Sequence, residues 1–180
     1  MEHTSRAGSP AGLSQTTMDR SVSIIEDGVL VGIIGAAVVA LWFFLLDIAR
    51  SQIFFTPSLL GSVIFLGSSP SDAITVNPFI VFAYTGLHGV LFLLAGLVIA
   101  WLFAMFERNP QFGIILLLLF LLVEAILFAF AAAIFPNLVG TLGAAAVGAG
   151  NLFAAVAMFW FLMRRHPEAM AQLRLAWREE

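Results

Sequence analysis

Two ionisable side chains, His88 and Glu124, lie deep inside stretches of the sequence that are otherwise apolar. Glu124 lies near the middle of the apolar run from Phe112 to Phe135. A charged group at such a depth in a membrane is costly, so it marks a candidate functional site. A carboxyl group beside an imidazole is a pair that can take up and release a proton.

Two neutral polar residues extend this candidate site. Asn151 lies in another apolar run at about the depth of Glu124, and Tyr84 precedes His88 by one helical turn. If the helices turn these faces inward, the sequence predicts a polar cluster of Tyr84, His88, Glu124 and Asn151. Its members would bind a proton or a small ligand, or their hydrogen bonds would only fix how the helices pack.

A third interpretation concerns His88 alone. Gly86 and Gly89 flank it in the segment G-L-H-G, which leaves room for a flat tetrapyrrole against the helix. Haem held by two histidines is disfavoured because His88 is the only histidine within an apolar run. A chlorophyll-type pigment needs only one such ligand. Otherwise we expect no cofactor and no metal.

These residues require membrane helices to position them. Of 180 residues, 61% are hydrophobic and only 11% are charged, against roughly 45–50% apolar residues in a soluble domain. Four apolar runs are each long enough to cross a bilayer. The predicted fold is therefore all-α, a polytopic bundle of four transmembrane helices, with spans at about 28–47, 78–106, 112–135 and 138–163.

The segments outside the spans divide the chain further. Residues 1–22 are predicted to be a disordered cytoplasmic tail, residues 23–165 the membrane domain, and residues 166–180 a cytoplasmic amphipathic helix. Asn77-Pro78 and Asn109-Pro110 each place Asn at the N-cap and Pro at the first helical position. Short connections after the second and third spans predict antiparallel neighbours.

The arginines predict the orientation, because cytoplasmic loops retain positive charge. Arg50 alone falls on one side of the predicted membrane. The others fall on the opposite side, which places both termini in the cytoplasm: Arg6, Arg20, Arg108, Arg164, Arg165, Arg174 and Arg178. Glu26 and Asp27 suit the positive end of the first helix, and Trp42 suits a membrane interface.

Small residues recur at helical spacing in two of the spans. Such rows allow close helix packing, within one chain or between copies. Their members are Gly28, Gly32 and Gly35 in the first span, and Gly140, Ala144 and Gly148 in the fourth.

The connection between the first two spans contains a predicted outer element of Asp47, Arg50, Thr56 and Pro57. Thr56-Pro57-Ser58 would begin a short helix that lies on the outer face. Asp47 and Arg50 would anchor the interface, or pair with each other or with this outer helix. W-F-F-L-L-D at 42–47 and F-F-T-P-S-L-L-G at 54–61 resemble small bacterial membrane proteins of unassigned function. The resemblance implies a bacterial inner membrane and carries over no activity.

No enzyme signature occurs in the sequence, neither H-E-x-x-H nor G-x-S-x-G nor a phosphate-binding loop. The arginines form no basic stripe, so nucleic acid is not an expected partner. We expect a non-enzymatic subunit that assembles in the bilayer with itself or with other membrane subunits. The alternatives are a small proton-coupled transporter or channel using Glu124 and His88, and pigment or haem binding through His88.

Overall fold

The computed structural model describes residues 10–69, 74–108 and 142–167, with side chains described for 23–69, 74–105 and 142–167. Within these ranges the chain forms four α-helices and no strand. They are α1 (Pro10–Ala49), α2 (Phe55–Leu66), α3 (Pro78–Arg108) and α4 (Ala144–Arg165).

Three of these helices are long and apolar enough to cross a membrane, over Ser23–Ala49, Pro78–Met105 and Ala144–Arg165. They correspond to the first, second and fourth predicted spans and identify the chain as a membrane protein. The predicted span 112–135 and residues 168–180 of the predicted amphipathic helix lie outside the described residues. The short helix α2 has 12 residues, about 18 Å at 1.5 Å per residue, which is too short to cross.

Two helix boundaries differ from those predicted. α1 begins at Pro10 and so includes residues 10–22, for which the sequence predicts a disordered tail. Proline suits the first turn of a helix, and no other proline occurs before Pro57. α4 begins at Ala144 instead of about 138, and Gly143 before it has a φ of 85°, which α-helices exclude.

The start of α3 is as predicted. The Asn77 side chain accepts a hydrogen bond from the Phe79 backbone N–H at 2.9 Å, and Pro78 is the first helical residue. This N-cap satisfies an N–H that has no partner within the helix.

α1 is the central helix, because it contacts each of the other three. A Cβ atom on Gly28 would meet Leu97, and one on Gly32 would meet Leu93, so α1 and α3 are antiparallel. α4 is also antiparallel to α1, since Gly35 lies near Met158 and Trp42 near Ala146. α3 and α4 therefore run in the same direction.

Two apolar clusters fill the described interior. The larger lies between α1 and α4 and contains Val31, Val39, Ala154, Met158 and Leu162. The smaller joins α2 to the residues just before α4 and contains Leu59, Val63 and Leu142. α2 and the beginning of α4 thus lie at the same end of the fold, next to Asp47.

α1 and α3 approach most closely at three glycines. A Cβ on Gly96 would fall well inside van der Waals contact with the Gly28 carbonyl oxygen and with the backbone of Gly32. On the other side, a Cβ on Gly32 would lie 2.6 Å from the carbonyl oxygen of Phe92. Between lipid-embedded helices close approach replaces much of the hydrophobic driving force, so these glycines set the spacing of α1 and α3.

We expect Gly96→Ala to lower the free energy of unfolding by about 1–3 kcal/mol, the usual cost of overpacking, because its methyl group meets backbone and not a movable side chain. The measurement is SDS titration of the purified protein in mixed micelles. Gly86→Ala is the matched control, since a Cβ there meets nothing within 4 Å. Equal stability of the two variants would contradict the described crossing.

Candidate functional site

His88 lies where α3 crosses α1 and bonds to the backbone of α1. Its Nε2 is 3.2 Å from the carbonyl oxygen of Ala36. A carbonyl oxygen only accepts, so Nε2 carries the hydrogen and donates it. The imidazole also lies between the rings of Tyr84 and Phe92, at centroid distances of 6.0 and 4.6 Å. The structure therefore brings Tyr84 and His88 together and directs His88 towards α1.

His88 lies opposite the middle of the apolar span of α1. Ala36 lies about half-way along α1 between Asp27 and Asp47, which are separated by about 30 Å at 1.5 Å per residue. His88, opposite Ala36, is thus near the middle of this distance. The predicted depth of His88 is relative to Glu124, which lies outside the described residues.

Of the other two members of the predicted cluster, Asn151 is described and does not lie beside His88. Asn151 is exposed on α4. It follows Gly150, whose Cβ would lie 2.8 Å from the Trp42 ring, so it is nearer to the Asp47 end of the fold than His88 is. Glu124 lies outside the described residues.

Asp47 holds the beginning of α2. Its carboxylate is buried, with Asp47 only 1% exposed. Oδ2 accepts the Thr56 backbone N–H at 2.8 Å, and Oδ1 accepts the Thr56 hydroxyl at 2.7 Å. The first N–H groups of a helix lack partners within it, and their end of the helix is positive. Asp47 therefore caps α2 from α1, which is one of the alternatives that the sequence predicts for Asp47. The sequence also predicts capping by the Thr56-Pro57-Ser58 segment, but Asp47 provides the cap to Thr56.

The turn between α1 and α2 is strained. Ser51 and Phe54 have φ values of 58° and 64°, the left-handed region that costs a residue with a Cβ about 1–2 kcal/mol. The two bonds of Asp47 to Thr56 offset this cost by closing the turn. The Ser58 hydroxyl, fully buried in α2, has no hydrogen-bond partner among the described residues.

The remaining members of the predicted outer element have different surroundings. Arg50 is exposed, and no ion pair joins it to a described carboxylate. Pro57 is half-buried in the first turn of α2, where a helix does not need its N–H. Only Asp47 and Thr56 contact each other directly.

Trp42 joins α1 to α4, a role that the sequence does not indicate. Its indole N–H donates to the carbonyl oxygen of Ala146 at 2.8 Å, and its ring meets Phe153 edge-on at 5.0 Å. Gly150 leaves the space for this ring. A tryptophan near the end of a span is equally typical of a residue at the membrane interface. Only the position of α4 shows that Trp42 contacts another helix.

At the opposite end of the fold, four charged or polar residues form what we name the basal cluster: Glu26, Asp27, Arg165 and His166. Nε2 of His166 lies 3.0 Å from Oδ2 of Asp27, and Nε of Arg165 lies 2.8 Å from Oδ1. The latter contact is an ion pair without hydrogen-bond alignment. Arg165 also pairs with Glu26. Asp27 is 4% exposed, so these contacts compensate a buried charge.

From the sequence, Glu26 and Asp27 are expected only to interact with the positive N-terminal end of the first helix. Because α1 begins at Pro10, both residues lie well inside the helix and not at its N-terminus. The sequence does contain a signal for the basal cluster. The acidic segment E-D at 26–27 and the basic segment R-R-H at 164–166 are predicted on the same side of the membrane, where they could pair.

The small-residue rows lie in different environments. Gly28, Gly32 and Gly35 face α3 and α4 at close range. Ala144 and Gly148 are on the exposed face of α4, and a Cβ on Gly148 meets nothing within 4 Å; Gly140 lies outside the described residues. α4 instead packs through a row that the sequence analysis misses, namely Gly150, Ala154, Met158 and Leu162.

Among the described residues no group of three or more His, Cys, Asp or Glu is placed to hold a metal ion. Comparison with protein-family models, with curated proteins and with solved structures gave no match. The three polar centres at Asp47, His88 and Asp27 each join α1 to a different helix.

We expect Asp47→Asn to destabilise the protein by about 1–2 kcal/mol, because the amide supplies only one acceptor and no charge to the N-terminus of α2. Thr56→Val removes one of the two bonds and should cost less. Unfolding free energies by SDS titration measure both. Arg50→Gln, at the same end, should have no effect, and an Asp47→Asn protein as stable as Arg50→Gln would refute the cap.

In the basal cluster, Asp27 is buried and Glu26 is exposed, so their substitutions should differ in their effect on stability. We expect Asp27→Asn to cost about 1–3 kcal/mol, because the buried amide offers Arg165 and His166 no charge and only one acceptor oxygen. Glu26→Gln should cost less than about 1 kcal/mol, because the Glu26 side chain is 56% exposed and exposed ion pairs contribute little. The same titration measures both variants, and the reverse order of stability would contradict this description.

Proposed function

We propose that the chain is a non-enzymatic integral membrane protein of the bacterial inner membrane, a structural or accessory subunit of a homo- or hetero-oligomeric complex. One observation carries this proposal: the polar groups that the structure describes along α1 are used to fasten helices together. Asp47 bonds α2, Asp27 bonds the end of α4, and the Ala36 carbonyl accepts from His88 on α3. Groups used in this way stabilise a scaffold and leave little for catalysis.

A fourth membrane span over 112–135 is part of the proposal. α3 passes Gly28 at Leu97 and continues to Arg108, beyond the Asp27 end of α1, whereas α4 begins near Trp42, towards the Asp47 end. The chain between α3 and α4 has to connect opposite ends of the fold. This connection supports the four-span bundle predicted from the sequence.

The proposed orientation places both termini in the cytoplasm. Arg165 and the end of α3 lie at the Asp27 end of α1, and Arg50 lies at the other. An excess of arginine at the Asp27 end supports a cytoplasmic location for that end.

A proton-coupled carrier using Glu124 and His88 receives less support. His88 and the basal cluster are separated along α1 by about nine residues, or roughly 13 Å. Val31, in this interval, is 0% exposed and lies in the apolar cluster. Proton transfer over such a distance would require a chain of polar groups or waters, and this part of α1 is lined by apolar side chains.

A tetrapyrrole at His88 receives less support for a different reason. Nε2, the nitrogen that most often binds a metal, donates its hydrogen to Ala36. Ligation through this atom would require loss of the bond between α3 and α1.

The exposed face of α4 favours assembly with other helices. Ala144, Gly148, Asn151 and Ala155 share this face, and all are exposed. Asn151 brings an amide that in lipid needs a hydrogen-bond partner, and its small neighbours allow a helix to come close. Span 112–135 or another subunit would supply this partner.

Cysteine cross-linking in native membranes tests the proposal, since the chain has no cysteine of its own. We expect Ala155→Cys to form cross-linked species of higher mass with a second copy or another membrane subunit. Val98→Cys, on an exposed position of α3, is the matched control and should stay uncross-linked. A strictly monomeric, partner-free species with both variants and after mild detergent extraction would refute a subunit role.

A further inference from the structure

The two adjacent arginines at the end of α4 have opposite surroundings. Arg165 turns towards α1 and is neutralised by Glu26 and Asp27. Arg164 is exposed, and no described carboxylate lies within ion-pair distance of it. Of these two arginines, only Arg164 carries a charge that no described carboxylate neutralises.

Arg164 is held in place by an aromatic ring. Its guanidinium carbon lies 4.2 Å from the centroid of the Trp160 ring, a cation–π geometry. Trp160 is itself 57% exposed and lies one turn closer to the centre of the span. The pair thus presents an apolar ring on the membrane side and a positive charge beyond it.

We propose that Arg164 and Trp160 form a binding site for the phosphodiester headgroup of an anionic phospholipid in the leaflet at the Asp27 end. Guanidinium groups bind phosphate oxygens in a bidentate manner, and stacking on Trp160 leaves the N–H edge free to do so. The exposed indole contacts the first carbons of the acyl chains, where tryptophans concentrate in membranes. This site is independent of the proposed subunit role.

The arrangement favours a lipid over a free anion. A soluble phosphate would gain only the single guanidinium, beside the negative C-terminal end of α4, which disfavours anions. A phospholipid in addition covers Trp160 and is already concentrated at this depth. A multivalent soluble anion would need a second positive charge, and the adjacent Arg165 does not supply one because it is paired with Glu26 and Asp27.

The test is lipid retention by the full-length protein, measured by native mass spectrometry in micelles titrated with phosphatidylglycerol or with phosphatidylcholine of the same chains. We expect the wild type to retain phosphatidylglycerol in preference, and Arg164→Gln to weaken that binding about fivefold, the effect of one basic residue at a membrane surface. Arg164→Lys, which keeps the charge but not the planar group, should be intermediate.

Arg50→Gln is the matched control, because Arg50 is also exposed and unpaired among the described residues but has no described aromatic ring beneath it. It should bind phosphatidylglycerol like the wild type. Three results would each overturn the proposal: equal retention by Arg164→Gln and the wild type, an equal loss with Arg50→Gln, or displacement of the lipid by inorganic phosphate at constant ionic strength. Unchanged unfolding free energy of Arg164→Gln excludes misfolding as the cause of a loss.

Discussion

The structure depends on the burial of two carboxylates in one helix. Asp27 and Asp47 are 4% and 1% exposed and lie about 30 Å apart along α1, close to the thickness of a hydrocarbon core. A buried charge requires donors, and α1 has none to offer from its own backbone. Each carboxylate therefore fixes another segment of the chain, the end of α4 at Asp27 and the beginning of α2 at Asp47.

Between these two points the helices are held by close packing. The glycine contacts at Gly28, Gly32 and Gly96 bring the backbones of α1 and α3 together. The same approach allows the His88 ring to reach the carbonyl oxygen of Ala36 on α1. A bulkier residue at the crossing would separate the helices and leave a donor in an apolar environment. Small residues and buried polar groups are thus mutually dependent in this fold.

The distribution of polar groups bears on function. Asp47, His88 and Asp27 each pair with a neighbouring helix, whereas Arg50, Arg164 and Asn151 are exposed. This pattern supports the proposed role as a subunit that binds lipid and other helices. Arg164 and Arg165 are adjacent and therefore point about 100° apart around the helix axis. This rotation places Arg165 in an internal contact and Arg164 on the surface.

The sequence alone was enough to predict a helical membrane protein, as the described residues confirm, because long apolar runs in lipid satisfy their backbone groups as helices. It also determined the start of α3, through the local N-cap at Asn77, and the existence of a short helix near Thr56. These features depend on neighbouring residues in the chain.

Which polar groups meet was decided only by the tertiary structure. The pairing of Asp27 with His166, of Asp47 with Thr56 across a strained turn, and of His88 with a backbone carbonyl depends on how the helices are rotated and offset. Hydropathy predicts the depth of a residue within a span to about one helical turn. It does not predict how each helix is rotated about its own axis. The sequence predicts packing through the row around Gly148, whereas α4 packs on α1 through the row around Gly150, which lies against Trp42.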